Sequence, residues 1–298
     1  MVYKGLYIID RFLKKTYNSK LKIICVGNVV VGGSGKTPIA IKIAKILIGQ
    51  GFKVAFLSRG YKGKLDKVLV DDKKHSSKDV GDEPLLLCKI APVVISKNRG
   101  EGAKIAEENG FEYLIMDDGF QNFTLKKDIS ILVFDGSYGV GNKKLLPAGP
   151  LREDLDKALL RADFAIVSGK DKVGIKDLLK NKIEILKGEI IPDYQVLENL
   201  KNKKVIGFAG IGRPLKFYDT LKQNGIEVVD FISFPDHHDY NEKDMDFIFK
   251  KAYPYGASVV TTTKDYVKIP LSYKENISFL PIEFSFFDDT KLLKAISK

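Results

Sequence analysis

Residues 21–37 read Leu-Lys-Ile-Ile-Cys-Val-Gly-Asn-Val-Val-Val-Gly-Gly-Ser-Gly-Lys-Thr, and Pro38 then opens an amphipathic pattern that runs through Ile48. An apolar run, a glycine-rich loop and a helical pattern in that order are the local sequence of a phosphate-binding turn. The glycines let the backbone curl so that successive N–H groups point at phosphate oxygens, and the helix N-terminus adds its dipole. Gly32, Gly33, Ser34, Gly35, Lys36 and Thr37 are therefore the expected nucleotide-binding residues, Lys36 reaching the β and γ phosphates of ATP and Thr37 ligating Mg2+. The strict motif has glycine at position 30, where this chain has Val30, so the loop is a variant with its glycines bunched later.

Outward from this turn, short apolar runs alternate with helical patterns: Val54 to Leu57, Pro92 to Ser96, Tyr113 to Met116, Ile129 to Phe134 and Phe164 to Val167. Such alternation predicts an α/β fold, a P-loop NTPase-like parallel sheet flanked by helices. A lysine-rich stretch, Lys170 to Lys187, precedes a second set of strand-like runs at Val205 to Ala209, Val228 to Ile232 and Ser258 to Thr262. This predicts a kinase domain over 1–198 and a smaller α/β domain over 199–298. Ile190 to Leu197 and a returning Ile277 to Phe284 would form an extended two-strand hinge, and Thr290 to Ile296 a short final helix. Gly136 to Pro150, rich in glycine and proline, reads as a long loop of the kind that borders active sites.

The chain has 298 residues, 44% of them hydrophobic, enough to close a real core, and disorder is not the expectation. Its net charge of +11 favours phosphates, nucleic acid or an anionic membrane face as partner. The two cysteines, Cys25 and Cys88, lie in apolar runs without CxxC spacing, which argues against a zinc site or a disulfide framework and fits a reducing cytoplasm. No apolar stretch is long enough to cross a bilayer, and no secretory signal opens the chain. Near the N-terminus, Lys4, Arg11, Lys14, Lys15, Lys20 and Lys22 stand against Asp10, with Leu6, Ile9, Phe12 and Leu13 at roughly helical spacing. That pattern suits a helix lying on a membrane surface and equally one packing its apolar stripe on the domain.

Other candidate residues fall at predicted strand ends. The run Tyr113 to Met116 ends in Asp117 and Asp118, which a parallel sheet delivers to its C-terminal edge beside the phosphate loop, and Gln121 follows shortly after. Asp82 and Glu83 open the pattern Leu85 to Ile90, where alone they would read as helix-start acids. Arg59 and Arg99 leave strand ends and are expected to project over the crevice, where an arginine neutralises a transferring phosphoryl group. Phe234 to Tyr240 contains His237 and His238 between a strand and a helical pattern; acid/base or orienting work fits them better than metal binding, since no further Cys or His ligands accompany them.

Taken together, GNVVVGGSGKTP, SRGYKG, GDEPLLL, the DDGFQ run, a loop ending LLPAGPLRE, and FPDHHDY closely resemble the tetraacyldisaccharide 4'-kinase family, whose loop also departs from the strict motif at this point. The resemblance covers most of the chain. It implies ATP-dependent phosphorylation of the 4'-hydroxyl of a tetraacylated glucosamine disaccharide 1-phosphate, peripherally, at the cytoplasmic face of the bacterial inner membrane. It implies Lys36 and Thr37 on ATP and Mg2+, Glu83, Asp117 and Asp118 around the metal, and Gln121 positioning reacting groups. Asp82 matches the catalytic aspartate and His237 its histidine partner. A lipid substrate favours the membrane reading of the N-terminal segment. Among rivals, a GTP switch lacks an NKxD string, the nearest being Asn181 to Glu184. A nucleic-acid-binding ATPase lacks a recognition motif, and no obligate protein partner is evident. A non-catalytic nucleotide sensor predicts that Asp82 and His237 are dispensable while Lys36 is not.

Overall fold

The computed structural model describes residues 15–296; the N-terminal segment read above as a membrane-surface helix lies largely outside them. Thirteen strands are formed among the described residues. In chain order they are β1 Lys22–Gly27, β2 Val54–Ser58, β3 Val68–Leu69, β4 Val93–Ile95, β5 Tyr113–Asp117, β6 Ile129–Asp135, β7 Phe164–Ser168, β8 Glu184–Pro192, β9 Lys204–Ala209, β10 Glu227–Ser233, β11 Ser258–Thr262, β12 Ile277–Leu280 and β13 Ile282–Phe286. One sheet has the order β13-β8-β7-β6-β1-β5-β2-β4-β3, the other β10-β9-β11-β12.

In the large sheet β1 lies between β5 and β6, and all pairings from β4 through β8 are parallel, as the alternation predicts. From β1 the chain builds first toward β2 and β4 and later toward β6 and β7, so strand order reverses at β1. Parallel α/β sheets bind ligands at such a point. Burial on both faces accounts for the continuous apolar runs. Ile23 and Cys25 join one core with Leu57, Met116 and Phe134. Ile24 and Val26 are fully buried on the other face. The helix Lys36–Gly49 contributes Ile39, Ile43 and Leu47, all fully buried.

The chain divides into two compact units, one running to Glu189 and resuming at Phe286, the other spanning Ile190–Ser285. This differs from a division at 198/199, for two packing reasons. The stretch expected to be extended through Leu197 stops at Pro192, and the helix Tyr194–Leu200 sends Leu197 and Leu200 into the second unit's core. The C-terminal helix Thr290–Ile296 belongs to the first unit: its Ile296 carbonyl accepts a hydrogen bond from the Tyr113 hydroxyl of β5 at 2.9 Å. The returning hinge strand is two strands. Pro281 has no N–H for a ladder, and it separates β12, parallel to β11, from β13 beside β8. Lys187 accepts from Phe287 and Pro281 from Asp193, a pairing of opposite chain directions. The lysine-rich stretch is not a bare linker, since it holds the helix Ile175–Leu179 and the start of β8.

The second unit's sheet is parallel throughout and buried on both faces. Val205 and Ala209 pack with Phe217 and Leu221 of the helix Pro214–Gln223. Ile206 and Phe208 pack with Met245 and Ile248 of the helix Glu242–Ala252.

Candidate active site

The register of β1 on β5 sets Val26 opposite Asp117, so the strand that ends in a carboxylate lies beside the one that enters the glycine loop. Gly35 takes the left-handed conformation, φ 83°, immediately before the helix Lys36–Gly49, a turn that favours a residue without Cβ. The loop is braced from beneath by Asn28, fully buried, whose amide donates to the Ser34 hydroxyl at 2.9 Å. Lys36 and Thr37 occupy the first helical turn, where unpaired backbone N–H groups favour anions.

Two adjacent carboxylates do different work here. Asp117 is buried and accepts from the Thr37 hydroxyl at 2.8 Å, while its Oδ1 has no hydrogen-bond partner among the described residues. Burial, then the nearby charge of Glu83, pushes its carboxyl up to about 7, Lys36 pulling the other way. Asp118 follows with φ 53°, which turns its carboxylate out of the strand. Lys36 Nζ lies 3.6 Å from it and Arg152 forks onto it, Nη1 donating at 2.9 Å and Nη2 at 3.3 Å. Burial alone would raise Asp118, but these two cations outweigh it and hold its carboxyl below the usual range. Asp118, expected beside the metal, thus serves first as the acceptor that aims two cations at the loop.

Gln121 donates to the Asn28 carbonyl at 2.8 Å and to Glu153 at 3.0 Å, and its own carbonyl faces Arg152 at 3.4 Å. Glu153 also pairs with Arg161, which lies over the Phe120 and Phe123 rings. Asp82 is 6% exposed at the start of the helix Asp82–Cys88, after Gly81 at φ 87°. Glu83 follows it, and its charge acts on Asp117. Arg99 corrects the expectation that it projects over the crevice. It is 4% exposed and donates to the Ser96 carbonyl, and burial, then repulsion from Arg59, lowers its pKa to about 10. Arg59 is the exposed one of the pair.

His237 belongs to the second unit, with its backbone at φ 58° and Nε2 3.9 Å from Asp236. His238 is engaged structurally: it stacks on Phe234 at 4.6 Å, and its Nε2 lies 3.0 Å from Asp244, the acid of the capping box of the helix Glu242–Ala252.

Sequence reasoning assigned no role to Asn28, Arg152 or Glu153. All three lie inside recognised motifs, but an asparagine after a strand and an Arg-Glu pair after a loop have no spacing that announces them. Their importance comes from which carboxylate and amide they touch. Thr37, one unpaired Asp117 oxygen and nearby Glu83 suit a magnesium ion, which usually binds through one or two carboxylates with substrate phosphates completing its shell. Among the described residues no group of three or more His, Cys, Asp or Glu forms an all-protein metal cage.

The profile of the family described as Tetraacyldisaccharide-1-P 4'-kinase matches residues 2–298. The tetraacyldisaccharide 4'-kinase of Paramagnetospirillum magneticum is 44% identical over 268 residues, covering 89% of this chain and 82% of that protein. That of Rhodospirillum centenum is 40% identical over 272 residues, covering 91% and 81%. LpxK from Aquifex aeolicus, solved in complex with ATP, superposes with a TM-score of 0.77 at 31% identity, over 99% of this chain and 95% of that one. With the family profile matched over residues 2–298, and relatives and a solved structure similar over most of that length, the chain belongs to the tetraacyldisaccharide-1-P 4'-kinase family.

Proposed function

We propose that the chain transfers the γ-phosphoryl group of ATP to the 4'-hydroxyl of a tetraacylated glucosamine disaccharide 1-phosphate, a step of lipid A biosynthesis. The observation that carries this reading is the Lys36–Asp118–Arg152 cluster beside the Thr37–Asp117 contact, at the sheet edge where strand order reverses. Phosphoryl transfer asks chiefly for alignment and for positive charge around the transferring group. Lys36 and Arg152, held by one carboxylate, supply that charge, and loop N–H groups cradle the phosphates. Asp82 acts as base, taking the proton of the sugar hydroxyl as its oxygen bonds to phosphorus and the bond to ADP breaks. His237 orients or tunes Asp82, and Gln121, fixed by Asn28 and Glu153, positions reacting groups. Arg99 acts from the interior, adding positive potential near Asp118. A magnesium ion held by Thr37 and Asp117, with Glu83 near, would neutralise charge developing on the phosphates. The protein acts peripherally at the cytoplasmic face of the inner membrane, its basic N-terminal segment on the anionic surface. No described helix is long and apolar enough to cross a membrane.

The test is transfer of labelled γ-phosphate from ATP to the tetraacyl disaccharide 1-phosphate in detergent micelles, with Asp82→Ala and Lys36→Ala as comparisons. Labelling that collapses in both variants supports the reading. Loss with Lys36→Ala alone removes Asp82 as base, and no labelling of the lipid by ATP-hydrolysing protein overturns the assigned acceptor.

A further inference from the structure

A charged cluster lies in the interior of the second unit, where a small domain ordinarily has none. Lys268 and Asp265 are 2% and 0% exposed at their side chains and 3.1 Å apart. Asp265 also accepts from the Thr262 hydroxyl at 2.7 Å, at the C-terminal end of β11. Lys268 lies over the Tyr240 ring, 5.3 Å from its centroid. A buried ion pair is costly to desolvate and rarely stabilises more than apolar packing would, so its presence calls for another reason.

That reason is where the Tyr240 hydroxyl points. The ring is clamped edge-on by Phe208, Phe234 and His238 at 5.3, 5.2 and 5.0 Å between centroids. Its hydroxyl rests against Gly210, where a Cβ would come within 2.9 Å of it, and within 3.1 Å of both His238 and the Pro235 carbonyl. Gly210 in turn accepts the backbone N–H of His237 at 3.0 Å. His237 is the residue of this loop held at a left-handed φ, a conformation that side-chain-bearing residues keep only when their surroundings impose it.

We infer that Tyr240, seated by the buried Lys268–Asp265 pair, is a positioning residue for the kinase reaction: it fixes Gly210 and through it the backbone of His237. The chain of contact is Asp265 to Lys268, Lys268 over the Tyr240 ring, the Tyr240 hydroxyl against Gly210, and Gly210 to the His237 amide. Burial and the Asp265 charge raise the Tyr240 pKa, so the hydroxyl stays protonated and its seat does not change near neutral pH. The inference rests on the proposed role of His237.

The experiment compares Tyr240→Phe, which keeps the ring, with His237→Ala and the double variant, and adds Asp265→Asn combined with Lys268→Met, which removes both charges together. Lipid kinase kcat, KM for ATP and melting temperature are measured for each. The expected result is a kcat loss of about tenfold in Tyr240→Phe with KM for ATP unchanged, and no further loss when it is added to His237→Ala, since residues acting through one another are not additive. The charge-neutral pair should lose kcat similarly. An unchanged kcat in Tyr240→Phe, or losses that multiply in the double variant, would overturn the inference. If His237→Ala alone retains full kcat, the parent reading of His237 fails, a result separable from the other two.

Discussion

The C-terminal edges of the two parallel sheets are built from similar parts and put them to opposite uses. At the large sheet, β1 and β5 end in a glycine loop and two carboxylates, with charge half-open to a ligand: Asp117 keeps an unpaired oxygen, and Lys36 and Arg152 share Asp118. At the small sheet, β9 and β11 end in a buried ion pair, an aromatic clamp and a glycine, with the charge spent inside the protein. One edge keeps its electrostatics for a substrate, while the other uses them to hold a loop. Charge worth retaining for binding must stay accessible, whereas charge that specifies a conformation is most effective where water cannot screen it.

The contrast breaks most sharply at the loop. Lys36→Ala should lower kcat/KM on the order of 10³-fold, the scale of removing a cation aimed at a transferring phosphoryl group, with the melting temperature nearly unchanged. An equal fall in stability would mean that Lys36 is spent internally too. Lys268→Met should act chiefly on stability. It strands buried Asp265 and should cost about 3 kcal/mol of stability by denaturant unfolding, which Asp265→Asn in the same chain should largely restore. A single variant as stable as wild type would remove the small sheet's side of the comparison. A smaller effect is expected from Arg152→Lys, which keeps the charge and loses the fork onto Asp118. kcat should fall about tenfold with little change in melting temperature, and wild-type kcat would show that charge alone suffices.

The finest test is a proton count. With the Asp117 carboxyl pushed up to about 7, the folded protein carries a proton there that an unfolded aspartate, near 3.8, has already lost. Folding is therefore favoured by low pH at this group, and its contribution declines as pH rises from about 4 to about 7. Binding of magnesium nucleotide near pH 6.5 should then release a sizeable fraction of one proton, read from calorimetry in buffers of different ionisation heat, and Asp117→Asn should release less. Equal release from both proteins would place the titrating group elsewhere.

Much of this was legible along the chain. Each core strand of the large sheet is a continuous apolar run, because a parallel sheet buried on both faces demands one, and the glycine loop sits where β1 ends. The errors came where neighbours in space override pattern. Ile190 to Leu197 looked extended until the apolar stripe of Tyr194–Leu200 found a core. Arg99 looked like a crevice residue until packing closed over it.

By itself, then, the order of residues determined the sheet, the phosphate loop, the adjacent carboxylates and the family, since each is written in short contiguous blocks whose chemistry depends on near neighbours. Only the tertiary structure decided that Asp117 and Asp118 part company, that Arg152 and Glu153 belong to the site, and that a lysine and an aspartate lie buried under the His237 loop. The physical reason is that burial and charge pairing are properties of a location, and a location is made by segments that the sequence keeps far apart.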